Sequence, residues 1–234
     1  MRCLVCLAVM SRLWGHDMWI ETAPLGQAVG VKLRVGQELV GDTIPRRASM
    51  IREFVAVDGN GRSQVMGREG SDPAGYVRAG AAVIAYWGQP SVAEMEGEKF
   101  NAYLAEEGLD QIGRVAKGAM VKDEFTRCAK TLVGGAADRT VGLPLELVAE
   151  ARPARGGKLP VRLIYEGRAE AGVLVVAINK RKPGEKVTAR TDRDGRVRLR
   201  LDVDGLWLVK AVKMVPGTIF RSYWASLTFQ LEGM

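Results

Sequence analysis

The chain has 234 residues, 47% hydrophobic, 26% charged and only 6% aromatic, which excludes a disordered chain and suits one large domain or two small ones. No apolar run approaches the roughly 20 residues that a membrane-crossing helix needs. The net charge is +7, and a single histidine, His16, excludes sites built from two or more.

Met1-Arg2 is followed by the apolar run Cys3 to Met10 and then by small Gly15 just before His16. That order predicts a secretory signal peptide over residues 1–15 and a soluble exported protein, periplasmic or secreted. Cys3 and Cys6 would leave with it, so Cys128 would have no partner and reads as a small packed side chain rather than a nucleophile.

From His16 to about residue 140 the pattern is mostly strand. Val29 to Val35 alternates strictly, and Phe54 to Val57 and Val83 to Trp87 are further strands. Asp58-Gly59-Asn60-Gly61 is a hairpin turn between strands. A helical insertion near 97–117 interrupts them: Phe100, Tyr103 and Leu104 share a face, and Ile112, Val115 and Ala116 repeat the spacing. Gly108 fits the left-handed position after a helix, with Leu109 packing back on Leu104, and Asp110 suits the start of a second short helix. The insertion is expected to cover an open end of a sandwich.

Residues 143–234 read as seven short strands, Pro144 to Ala149, Leu159 to Glu166, Ala171 to Asn179, Glu185 to Thr191, Arg196 to Asp202, Leu206 to Lys213 and Tyr223 to Leu231, separated by Gly- and Pro-rich breakers. The expected fold is therefore mainly β: two consecutive antiparallel β-sandwich modules, 16–140 and 143–234, the second Ig-like or transthyretin-like. Asp192-Arg193-Asp194-Gly195 lacks the glycine and glutamate spacing of a calcium loop and reads as a hairpin turn. Lys and Arg alternate with apolar residues, as in Arg196 to Leu201, so the positive charge describes solvated strand faces and no nucleic-acid partner is expected.

Several segments carry a resemblance: His16-Asp17-Met18-Trp19-Ile20-Glu21, Leu33-Arg34-Val35-Gly36-Gln37, Lys99 to Leu109, Arg127-Cys128-Ala129-Lys130, Gly142 to Val148, Gly205 to Lys210 and Trp224 to Phe229. In that order they resemble the bacterial domain-of-unknown-function family 4198, across essentially the whole chain after residue 15. The resemblance implies an exported β-sandwich, similar to periplasmic nickel-uptake transporter components, with His-Asp at the mature N-terminus. Where such proteins are expected to carry histidine in Ala-Val-His-Met, this chain has Ala211-Val212-Lys213-Met214, and a protonated lysine is a poor ligand.

Cleavage before His16 would free an α-amine beside the imidazole, two nitrogens able to chelate one Ni²⁺ or Cu²⁺. Asp17 could add a carboxylate and Met18 a thioether, making His16, Asp17 and Met18 the candidate metal site. No nucleophile elbow, P-loop, dinucleotide fingerprint or His-Glu-x-x-His motif is present, so no enzyme activity is expected. The expected function is metal handling beside a metal-uptake membrane transporter. The alternative is a structural or adaptor Ig-like module of the cell envelope without metal.

Overall fold

A computed structural model describes residues 16–232. The predicted signal segment lies outside the described residues.

The strands of the first half are β1 (Asp17–Leu25), β2 (Ala28–Gln37), β3 (Val40–Ile44), β4 (Ile51–Asp58), β5 (Gly61–Gln64), β6 (Gly75–Arg78), β7 (Val83–Gly88), β8 (Ser91–Glu96) and β9 (Met120–Leu132), with helix α1 (Gly97–Glu106) between β8 and β9. The second half contributes β10 (Leu145–Ala149), β11 (Lys158–Tyr165), β12 (Arg168–Ala169), β13 (Leu174–Asn179), β14 (Lys182–Arg190), β15 (Arg196–Arg200), β16 (Gly205–Val215) and β17 (Phe220–Leu231). All seven strands expected after residue 143 are present.

These strands form three layers. The middle layer is a nine-stranded sheet in the order β14-β13-β16-β17-β9-β7-β4-β5, with β8 also on β9. Strict alternation assigns its two faces. Phe54, Ala56, Ile84, Tyr86 and Ala129 pack with Met18, Ile20, Val31 and Leu33 of the small sheet β1-β2-β3-β6. Their neighbours Val55, Val83, Ala85 and Cys128 point the other way, into a core shared with Leu145, Leu147, Val161 and Leu163 of the sheet β10-β11-β12-β15.

The second half by itself divides into β10, β11 and β15 against β14, β13, β16 and β17, an Ig-like Greek-key arrangement. The two sandwiches share the central sheet, because β9 lies parallel to β17, from Asp123 opposite Phe220 to Thr131 opposite Thr228. The other strand pairs are antiparallel.

Helix α1 covers the part of the central sheet beside the small sheet. Phe100, Tyr103 and Leu104 pack on Val121, Val212, Met214 and Trp224, and full burial of a side chain such as Phe100 contributes about 1.5–3 kcal/mol. The helix closes as the sequence predicts: Gly108 has φ +62°, its N–H donates to Ala105 O at 3.3 Å, and the Leu109 N–H donates to Leu104 O at 2.8 Å.

Two expectations are corrected. Residues from Asp110 onward form turns, not a second helix; the Asp110 carboxylate is drawn into an ion pair with Arg190. The Asp192–Gly195 turn is not a hairpin, since β14 pairs with β13 in the central sheet while β15 pairs with β11 in the outer one. It is a corner between sheets, held by Asp192 Oδ1 accepting from the N–H groups of Asp194 and Arg196, each at 2.9 Å.

Candidate functional site

The described residues begin at His16, and β1 is buried from its first residues because it lies against the central sheet. Alternation sends Met18 and Ile20 into the core with Phe54 and Tyr86, while Trp19 packs on the other side with Leu39 and Leu208. Side chains of the central sheet hold the β1 backbone. An Arg127 Nη2 N–H donates to His16 O at 3.2 Å, and the Thr228 hydroxyl donates to Ile20 O at 2.7 Å.

Asp17 leaves β1 on the side opposite Met18. Its Oδ1 accepts from Lys210 Nζ at 2.9 Å, and the same ammonium donates to Glu107 Oε1, just after α1, at 2.8 Å. The three side chains are only 12%, 6% and 4% exposed for Lys210, Asp17 and Glu107, so the cluster is nearly dry. Burial opposes the Lys210 charge, but two facing carboxylates outweigh it and hold the ammonium above its ordinary range. Burial raises both carboxyls, against the pull of Lys210. The crevice bounded by Asp17, Lys210, Trp224 and Ser226 measures about 10 Å³, the scale of a single water.

A second polar group lies under α1. Asp123 is fully buried, accepts from the Ser222 hydroxyl at 2.6 Å through Oδ2, and has no hydrogen-bond partner for Oδ1 among the described residues. Burial pushes its pKa up to about 6, against the Ser222 hydrogen bond. Trp224 donates its indole N–H to Ser222 Oγ at 3.2 Å and stacks on Tyr103, with centroids 5.4 Å apart.

The three residues proposed from sequence are thus adjacent in the chain but diverge in space. His16 is half-buried, and its Nδ1 is buried without a hydrogen-bond partner among the described residues. Asp17 is committed to Lys210, and Met18, 5% exposed, is part of a hydrophobic core. Among the described residues no group of three or more His, Cys, Asp or Glu side chains is placed to hold a metal. Lys213 donates to Glu170 at 2.8 Å and stands over the Tyr165 ring. By alternation along β16 it lies on the face opposite Lys210, so a histidine there would not join His16. Cys128 is a packed side chain, 1% exposed, its thiol pushed up to about 12 by burial.

Sequence reading missed Lys210, Glu107, Arg127 and Asp123. The one local signal was a lysine inside the apolar run Trp207-Leu208-Val209-Lys210-Ala211-Val212.

A family model described as a domain of unknown function, DUF4198, matches residues 13–214. No curated protein matches. Among solved structures, the D0-D1 domain of Intimin is similar at 11% identity over 92% of this chain and 97% of that one, with a TM-score of 0.22.

Proposed function

The chain belongs to the DUF4198 family, and from that premise we propose that it is an exported, non-catalytic binding protein whose His16 captures a single transition-metal ion, nickel or copper, for a membrane uptake system. The observation that carries this reading is the orphaned Nδ1 of His16, a buried nitrogen lone pair or N–H with nothing to bond among the described residues. Arg127 fixes the His16 carbonyl 3.2 Å away, so the residue that would offer the nitrogen is held at its backbone. Signal cleavage before His16 would place an α-amine on the same residue, and amine and imidazole together form a chelate suited to Ni²⁺ or Cu²⁺. Asp17 and Met18 take a supporting part in this reading: the first orders the strand through Lys210, the second anchors it in the core.

The test is metal titration of the exported, processed chain, followed by native mass spectrometry and calorimetry. One Ni²⁺ or Cu²⁺ per chain, lost in His16→Ala with the fold intact, supports the proposal. Retained binding in that variant places the metal elsewhere, and a processed chain that binds neither ion overturns the proposal. The second reading, a metal-free adaptor of the envelope, is favoured by the commitment of Asp17 to Lys210 and of Met18 to the core. It predicts that last outcome.

A further inference from the structure

On the other face of β9, Lys130 is among the largest fully buried side chains among the described residues, at 1% exposure. Its Nζ is 2.9 Å from Asp138 Oδ1 and 3.0 Å from Glu146 Oε1, and those side chains are 0% and 1% exposed. The third donor of the ammonium points at Arg139 O, 3.2 Å away. Asp138 Oδ2 accepts the Ala149 N–H at 2.8 Å, and Oδ1 also accepts the Arg139 N–H at 2.7 Å. Glu146 accepts the N–H groups of Val141, Gly142 and Leu143 at 2.8, 2.9 and 3.2 Å.

Glu146 is therefore anchored by three backbone donors in addition to Lys130. An amide between Lys130 and Asp138 would remove two charges from a dry site, where ions are costly to hold. Burial raises the Asp138 carboxyl, with Lys130 pulling the other way.

We propose that Lys130 and Asp138 condense into an intramolecular isopeptide bond, with Glu146 as the proton carrier. One ammonium proton passes to the Asp138 carboxylate, leaving a neutral amine beside a neutral acid. The amine lone pair attacks Asp138 Cγ and forms the N–C bond. Glu146 takes a proton from that nitrogen and returns it to Oδ1; the C–Oδ1 bond breaks and one water leaves. An ammonium and a carboxylate become a secondary amide and water, with no oxidant or other reactant. The amide oxygen, formerly Oδ2, keeps the Ala149 N–H, and the new N–H faces Glu146. Glu146 also lines a groove of about 360 Å³ with Thr140, Gly142 and Leu143, which gives the water a way out.

The experiment is intact-mass and tryptic-peptide mass spectrometry of the full chain. The expected result is a protein lighter than its sequence by one water and a peptide Cys128–Arg139 uncut after Lys130. That peptide should carry the same loss and yield no backbone fragments between residues 130 and 138. Glu146→Gln, checked as folded by circular dichroism, should keep the full mass and be cut after Lys130. A wild-type chain of full mass overturns the proposal and leaves an ion triad only. The same loss of mass with normal cleavage after Lys130 also overturns it, since that marks dehydration of Asp138 without a cross-link. A cross-linked Glu146→Gln variant removes Glu146 from the chemistry.

Discussion

Lys210 and Asp17 lie 193 positions apart in sequence, yet their side chains meet at 2.9 Å and fasten the first strand to the penultimate one. Because Glu107 shares that ammonium, a single side chain joins β1, β16 and the segment just after α1.

Lys210→Met should therefore be costly. It leaves two buried carboxylates without their cation, and breaking such a pair from one side typically costs about 3–5 kcal/mol. Adding Asp17→Asn and Glu107→Gln should recover most of that loss, because the groups left behind no longer carry charge. Urea unfolding of the single and triple variants gives both values. Equal stability of Lys210→Met and wild type would show that the cluster contributes nothing.

Stability should depend on pH through Asp123. Its folded pKa, about 6, lies above the ordinary carboxyl value of 3.8, so the folded state holds the proton more tightly. The resulting stabilisation is fully present below about pH 4 and is lost as pH rises through about 6. Asp123→Asn keeps a neutral group at all pH values and should gain about 1–3 kcal/mol at pH 7.5, with little gain at pH 4. Denaturation curves at the two pH values decide the matter. A gain equal at both would place its origin outside the titration of Asp123.

Gly108→Ala should destabilise the protein by about 1–3 kcal/mol. The residue has φ +62°, and an added Cβ would stand 2.8 Å from Leu174 Cδ2. Thermal melting is a sufficient readout, and an unchanged midpoint would refute the steric argument.

Cys128 should resist thiol reagents in the native protein and react fully once unfolded. Burial holds the thiol near 12, so almost no thiolate exists at neutral pH, and the sulfur is enclosed. Labelling followed over a denaturant series should track global unfolding; fast labelling in buffer would contradict the packing.

The second half of the chain was legible because its strands alternate cleanly between a solvated and a buried face, as Arg196 to Arg200 does. The same periodicity missed β9, although it is the longest strand among the described residues. Asp123, Arg127 and Lys130 break its apolar rhythm, and each is accommodated by groups distant in sequence or on a later strand: Ser222, His16 and Glu146. No local pattern announces such partners. The same reason hid the surroundings of His16: the sequence pointed to its neighbours Asp17 and Met18, whereas alternation turns these two apart and supplies Lys210 and Arg127 from the sheet beneath. Asp110 misled as a helix start because a carboxylate suits that position as well as it suits Arg190.

The parallel contact of β9 with β17 ties folding of the first half to a strand made much later. Until Phe220–Leu231 has been made, β9 lacks its neighbour on that side, and Trp224 is not there to seat α1. A ribosome-bound fragment ending near residue 140 would carry an open sheet edge and an unfinished core. Such dependence on distant partners slows folding, so the first half of the fold stays open while the second is still being made.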